Sequence, residues 1–145
     1  MDKAVTELIA ALKDRDAFVR SHAADALGEF GLAKEAVPHL IAALKDQNEY
    51  VSDSAASALG KIGPEAKEAA PALIAALKDQ DAYVRGVVAS ALGQIGPEAK
   101  EAAPALIAAL KDQDESVRRD AAGALGGIGP ATEDVTPALD RKSVV

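Results

Sequence analysis

Any catalytic or metal chemistry in this chain would have to come from histidine, carboxylate and hydroxyl side chains, because its 145 residues include no cysteine. That composition excludes disulfides, thiolate nucleophiles and cysteine-bound metal centres. The two histidines, His22 and His39, are followed by Ala23 and Leu40, so neither is paired with a neighbouring carboxylate. No Ser–His–Asp spacing or nucleophile elbow is visible. We therefore predict no catalytic residue, no metal and no other cofactor, and a protein that is not an enzyme.

Carboxylates are plentiful, but they recur with a sequence repeat. EAKE stands at residues 65–68 and 98–101, and KDQD at residues 78–81 and 111–114. Charges that recur in this way usually form a solvated face. The spacing of Gly93 and Gly96 could suggest a phosphate loop, but it lacks the lysine and follows a predicted helix rather than a strand. Helix packing is the favoured explanation for these glycines.

The composition favours helix and argues against two classes of partner. The chain is rich in Ala, Leu, Glu and Lys, which are strong helix formers, and only 3% of its residues are aromatic. Its net charge of −7 is opposite to what nucleic acid or an anionic membrane surface attracts. The N-terminus shows no signal-peptide pattern, and no apolar run reaches membrane-spanning length. We expect an acidic, cytoplasmic protein that binds neither nucleic acid nor a membrane.

A sequence repeat positions the histidines, carboxylates and glycines described above. The string LIAALKD starts at Leu8, Leu40, Leu73 and Leu106, at intervals of 32, 33 and 33 residues. A fixed period of this size indicates a stacked solenoid, and each unit contains two segments with apolar residues at helical spacing. One stretch, Ile62–Asp81, returns word for word as Ile95–Asp114. Recent duplication and engineering by consensus explain this identity equally well.

Local signals place the helix ends. Asp81 is the predicted N-cap of the second helix in its unit, and Gly96 is the residue that ends this helix. Pro71 and Pro104 lie inside the first-helix pattern, so each kinks that helix or marks its true start, with EAKEAA as a short preceding turn. We expect Phe30, which takes the position of isoleucines in the other units, to lie in the core.

These units resemble the HEAT-like repeat of the phycobilisome-lyase type, in which the pattern LIxALKDxxxxVRxxAAxALGxIG recurs. The resemblance covers Val5 to about Leu139 and implies an all-α fold, a right-handed α-solenoid of about four HEAT-like helix pairs. We expect one HEAT-repeat domain over residues 1–145, with units at about 4–35, 36–67, 68–100 and 101–133. Residues 134–145 are interpreted as a truncated C-terminal cap, because an open solenoid end exposes apolar surface.

The resemblance also implies a polar ladder between turns, formed by the Arg of VR and the Asp of LKD. The arginines are Arg20, Arg85 and Arg118, but the second unit has Ser52 at this position and should lack its rung. The aspartates are Asp14, Asp46, Asp79 and Asp112.

Two flanks of the second helix behave differently along the chain. One flank keeps glycine in a single register, at Gly28, Gly60, Gly93 and Gly126. Because a mid-helix glycine costs roughly 1 kcal/mol against alanine, this register predicts close approach of a neighbouring helix. The opposite flank varies from unit to unit, and in a solenoid of this type the second helices line the concave face. The constant flank is therefore predicted to be framework, and the variable flank to be binding surface.

Three aromatic residues share the leading register of the variable flank. Exposed aromatic rings are favoured anchors at interfaces, although each ring could instead cover apolar surface at its own helix N-terminus. Both alternatives are compatible with the sequence. The candidate partner-binding residues are Phe18, His22, Asp25, Tyr50, Ser54, Ser57, Lys61, Tyr83, Val87, Ser90, Gln94 and Asp120.

The function favoured by the sequence is a scaffold that binds a protein or peptide through the concave face of a short solenoid. The alternative, implied by the family resemblance, is a partial subunit or chaperone-like relative of a bilin lyase, which attaches chromophores to phycobiliproteins. We expect a monomer, or a weak homo-oligomer that associates through the solenoid ends.

Overall fold

The chain is all-α within residues 2–30 and 34–129, the part that the computed structural model describes. The first helices of the four pairs are α1 (Lys3–Ala11), α3 (Val37–Ala43), α5 (Ala70–Ala76) and α7 (Ala103–Ala109). The second helices are α2 (Ala17–Phe30), α4 (Glu49–Ile62), α6 (Ala82–Ile95) and α8 (Glu115–Ile128). None of these described helices is both long enough and apolar enough to cross a bilayer. The predicted C-terminal cap at 134–145 lies outside the described residues.

The second helices begin and end where the local sequence predicts. The Asp81 side chain accepts hydrogen bonds from the backbone N–H groups of Tyr83 and Val84, at 2.7 and 3.4 Å, and so caps α6. Gly96 follows α6 with φ of 81°, in the left-handed region that favours glycine. Both predictions are confirmed, and the same arrangement recurs in the neighbouring units.

The prolines mark the true starts of the short first helices. Pro71 lies at the first turn of α5, where its missing N–H costs no hydrogen bond. The preceding Gly63–Ala69 segment, which contains EAKEA, forms a 3-10 turn, and Gly96–Ala102 does the same before α7. Of the two alternatives for Pro71 and Pro104, helix start is therefore confirmed.

The core runs along the solenoid between the two layers of helices. Leucines from first helices, such as Leu40 and Leu73, and from second helices, such as Leu59 and Leu92, are fully buried. Each second helix also packs directly against the next one, α2 on α4, α4 on α6 and α6 on α8. The chain is therefore an α-solenoid in which each unit is held by its neighbours.

Glycines make this close packing of second helices possible. A Cβ added to Gly28 would lie 2.7 Å from the Cα of Ala58, and one added to Gly93 would lie 2.7 Å from the Cα of Ala124. Backbones at this distance leave no room for a side chain. By contrast, no described atom lies within 4 Å of a Cβ added to Gly126. The predicted close approach is confirmed at these two junctions.

Phe30 is not a core residue, so that prediction was wrong. Its side chain is 53% exposed, whereas at the equivalent positions Ile62 is half-buried and Ile95 and Ile128 are fully buried. The connection after Phe30 is one residue shorter than later ones, and the 3-10 turn before α3 covers only Lys34–Ala36. The first unit therefore does not repeat the packing found at this end of the other second helices.

Candidate functional site

The variable flank forms one continuous row of side chains along α2, α4, α6 and α8, called here the second-helix face. Most of its predicted binding residues are exposed, namely Phe18, His22, Asp25, Tyr50, Lys61, Tyr83, Ser90 and Gln94. Ser57, Val87 and Asp120 are half-buried. The face is therefore accessible to a partner over most of the predicted set.

Ser54 is an exception, and its assignment as a partner-binding residue was wrong. It is 7% exposed, and its Oγ lies 2.8 Å from the Oγ of Ser21 on the preceding second helix. The side chain at this position faces the preceding unit, because adjacent second helices pack so closely. Asp120 in the same register also faces its neighbour, since a Cβ added to Gly86 would lie 2.7 Å from its Oδ2.

The three aromatic side chains of the leading register point into solvent. Phe18, Tyr50 and Tyr83 are 65%, 67% and 69% exposed. Exposure on this scale favours the anchor interpretation over rings that cover apolar surface on their own helices. Phe18 and Tyr50 stack on one another across the interval between α2 and α4, called here the first interval, with ring centroids 6.4 Å apart.

A cleft opens in the interval between α4 and α6, called here the second interval. It has a volume of about 410 Å³ and lies between Tyr50 and Tyr83. Its other lining residues are Glu49, Asp53, Asp81 and Val84. The two aromatic side chains thus stand beside three carboxylates, and no lysine or arginine is among the described residues that line the cleft.

Asp53 is the site residue that sequence reasoning missed. Its Oδ1 is buried and has no hydrogen-bond partner within the described part of the chain. Burial raises the pKa of Asp53 to about 6, and the negative charges of Asp25 and Asp81 add to the shift. A signal was present, because the equivalent positions in the other units hold Ser21, Gly86 and Arg119. With Asp53, this register has four residues of different chemistry.

The other two carboxylates of the cleft interact with each other. A hydrogen bond between the Glu49 and Asp81 side chains raises the pKa of Glu49 and lowers that of Asp81. Asp81 is ionised more readily also because it accepts the backbone N–H of Tyr83 as the cap of α6. Asp81 therefore holds a negative charge at the rim of the cleft more readily than a free aspartate does.

The polar ladder between units exists, and the second unit lacks its rung as predicted. Arg20 binds Asp46 with Nε and Oδ2 2.8 Å apart, and Arg85 binds Asp112 at the same distance. The hydrogen bond from Arg85 lowers the pKa of Asp112. In the second unit the Oγ of Ser52 donates instead to the backbone carbonyl of Asp46, at 3.1 Å. The second interval therefore has no arginine rung.

The histidines lie apart in the structure. His22 is exposed on α2, and His39 is half-buried on α3. Within residues 2–30 and 34–129, no three histidine or carboxylate side chains are grouped as ligands for a metal ion.

Comparison with known families identifies the repeat. The family model described as HEAT repeats matches residues 5–85 and 70–141. No curated protein sequence matches the chain significantly.

Solved structures share the fold over most of the chain. An engineered protein is similar over 90% of this chain, with 26% identity and a TM-score of 0.72. The complex of CpcE and CpcF of phycocyanin lyase from Nostoc sp. PCC7120 is similar over 96% of this chain, with 26% identity and a TM-score of 0.62. A designed armadillo repeat protein in complex with peptide (KR)4 is similar over 86%, with 21% identity and a TM-score of 0.73.

The chain is shorter than these structural relatives. It spans 64% of the engineered chain, 69% of the lyase chain and 64% of the armadillo chain. The shared part is the repeat architecture itself, which specifies a scaffold and leaves the ligand to the side chains that the scaffold displays.

Proposed function

The chain belongs to the HEAT repeat family, and on this premise we propose that it is a non-catalytic scaffold that binds a protein or peptide through its second-helix face. The observation that carries the proposal is the row of Phe18, Tyr50 and Tyr83, each about two thirds exposed, in one register of the successive second helices α2, α4 and α6. Contiguous exposed apolar groups mark interaction sites, and aromatic residues are preferred anchors at interfaces.

The packing of the two layers supports this choice of face. Second helices contact one another directly, and glycine lets their backbones approach closely, as Gly28 does on Ala58. The first helices instead contact the intervening 3-10 segments, as α5 does with Gly63–Ala69 and Gly96–Ala102. The more tightly spaced layer is the inner side of a curved solenoid, which presents an extended concave surface.

Peptide binding is compatible with this architecture. The designed armadillo repeat protein with a similar fold was solved in complex with peptide (KR)4. For the present chain we propose a ligand of the same general type, an extended segment that runs across successive second helices. The scaffold itself performs no catalysis in this proposal.

Affinity capture followed by calorimetric titration tests the assignment. The partner is captured from native lysate on the immobilised chain and identified by mass spectrometry, and its affinity is measured for Tyr50→Ala/Tyr83→Ala. We expect binding to weaken by about 1–3 kcal/mol, which is typical of aromatic anchors. The helical spectrum should persist, because both rings lie outside the core.

The matched control is Lys67→Ala/Lys100→Ala, which changes two exposed residues of the 3-10 segments. This pair should leave the affinity unchanged. If it abolishes capture while the tyrosine pair does not, the second-helix face is not the binding surface.

A second candidate function is a partial subunit or chaperone-like relative of a bilin lyase. It is favoured by the similarity to the phycocyanin lyase complex over 96% of this chain. Bilin absorbance in the captured material, lost on Tyr50→Ala/Tyr83→Ala, would support this candidate. A captured partner without bilin absorbance supports the general scaffold instead.

A further inference from the structure

We propose that the cleft of the second interval binds the side chain of an arginine from an extended peptide segment. This inference rests on the proposed function and names the chemistry that the second-helix face recognises. The cleft is formed by the side chains of Tyr50 and Tyr83, with the carboxylates of Glu49, Asp53 and Asp81 along it.

The aromatic side chains provide space for a flat group. Neighbouring helices pack about 8–10 Å apart, and a planar group between two rings needs about 3.5–4 Å of contact on each side. In the first interval Phe18 and Tyr50 already stack on each other and fill this space. In the second interval the equivalent space is an open cleft of about 410 Å³.

The carboxylates determine the charge of the occupant. Three of them line the cleft, and no described lysine or arginine lies among them. The buried Oδ1 of Asp53 has no hydrogen-bond donor within the described residues, although a buried acceptor without a partner is costly. A cationic side chain that reaches the accessible part of this half-buried carboxylate would neutralise its charge.

Arginine fits the combination better than lysine does. Its guanidinium is planar, stacks on aromatic faces and carries five N–H donors in a fork that matches a carboxylate. The lysine ammonium is a compact, strongly hydrated charge that does not stack in this way. The whole chain, with a net charge of −7, also favours a basic partner.

The first experiment uses three matched peptides, N-acetyl-Gly-Ser-Arg-Ser-Gly-amide and the same peptide with lysine or with citrulline, the neutral isostere of arginine. They are titrated into isotope-labelled protein, and the amide resonances of Tyr50, Asp53 and Tyr83 are followed by NMR. We expect the arginine peptide to move these resonances most, lysine less and citrulline least. Equal effects of the arginine and citrulline peptides would overturn the proposal.

Variants of the cleft distinguish binding at this site from a general attraction between the acidic chain and a basic peptide. Asp53→Asn should lower the affinity for the arginine peptide by about fivefold or more, because a charge-assisted hydrogen bond becomes a neutral one. Tyr83→Ala should weaken it similarly. Glu101→Gln removes the same charge at an exposed position of a 3-10 segment and should have little effect. Equal losses for Asp53→Asn and Glu101→Gln would mean that only the net charge attracts the peptide.

Calcium provides a further arm, because carboxylate oxygens also bind this cation. Cleft resonances that respond to calcium chloride and not to the arginine peptide would overturn the proposal. The inference can also fail separately from the proposed function. A captured partner that depends on Tyr50 and Tyr83 but binds equally well to Asp53→Asn would leave the scaffold function standing and remove arginine recognition.

Discussion

The first and second intervals are built on the same frame but are linked in different ways. In the first, Arg20 binds Asp46, and the Oγ atoms of Ser21 and Ser54 lie 2.8 Å apart. Lys61 also binds Glu29 across this interval, at 2.6 Å. In the second interval, Ser52 replaces the arginine. Asp53, whose buried Oδ1 has no hydrogen-bond partner among the described residues, replaces the serine equivalent to Ser21.

This difference separates the residues that hold the repeat together from those that we propose for recognition. The buried leucines are shared by both intervals, as Leu27, Leu59 and Leu92 show by being fully buried on consecutive second helices. These apolar contacts contribute to the stability of both intervals. The second interval has no counterpart of the Arg20–Asp46 pair or the Ser21–Ser54 contact among the described residues, and it is here that we propose recognition of a partner.

The largest expected effect concerns glycine packing in the first interval. A Cβ on Gly28 would meet the Cα and Cβ of Ala58 at 2.7 and 2.9 Å. Overpacking costs of about 1–3 kcal/mol exceed the gain of about 1 kcal/mol in helix propensity. We expect Gly28→Ala to lower the free energy of unfolding by about 1–2 kcal/mol, measured by urea denaturation.

The second interval provides the comparison. A Cβ on Gly60 would meet the end of the Gln94 side chain, which can move, and the Cα of Ala91 at 3.0 Å. Gly60→Ala should therefore cost less than Gly28→Ala. Gly126→Ala, which has no described neighbour within 4 Å, should be neutral or stabilising. Equal losses at Gly28 and Gly60 would show that the two intervals pack alike.

A smaller effect concerns the pH dependence of the second interval. The pKa of Asp53 is about 6 in the folded chain, above its unfolded value of about 3.9. As the pH falls from 7 to 5, the folded state takes up a proton that the unfolded state does not, so this group makes folding more favourable. Asp53→Asn should be more stable than the parent at pH 7, by less than about 1 kcal/mol because solvent reaches the half-buried carboxylate.

The measurement is the difference in unfolding free energy between Asp53→Asn and the parent at pH 7 and at pH 5. We expect this difference to shrink at the lower pH. Glu101→Gln controls for the overall negative charge and should show no such change. A difference that is the same at both pH values would mean that Asp53 is not held in an unfavourable charged state.

The frame could be predicted from sequence because it depends on local rules. Asp81, Pro71 and Gly96 each act within a few residues, through a cap, a helix start and a left-handed turn. The period then fixed the stacking, and the glycine register indicated the close approach of helices. Phe30 was misplaced because its burial depends on the connection to the next unit, which differs in the first repeat.

The exposed residues of the second-helix face were predicted only in part, because helical spacing does not specify how deeply neighbouring helices interlock. Position within one helix placed Ser54 with His22 and Val87 on a free flank, but close packing buries Ser54 against Ser21. The same packing brings Asp53 to the rim of the cleft. Which of two adjacent registers faces solvent is decided by the distance between helices, a tertiary property.

The smallest expected effect concerns Ser52, where the second interval lacks its arginine rung. In the first interval, Arg20 binds Asp46 and its Nη1 also donates to the carbonyls of Asp14 and Arg15, at 2.8 and 2.9 Å. Asp79 of the third unit is equivalent to Asp46 of the second, so Ser52→Arg should recreate these contacts one unit along.

We expect Ser52→Arg to stabilise the chain by a few tenths to about 1 kcal/mol, since a partly exposed pair gains little beyond the cost of ordering two side chains. The hydrogen bond from Ser52 to the carbonyl of Asp46 is lost, but the new side chain donates to the same carbonyl. Urea denaturation of Ser52→Arg, Asp79→Ala and the double variant isolates the pair energy as a double-mutant cycle. A stabilisation that survives Asp79→Ala would mean that the ion pair is not formed, and clear destabilisation would show that the second interval is spaced differently from the first.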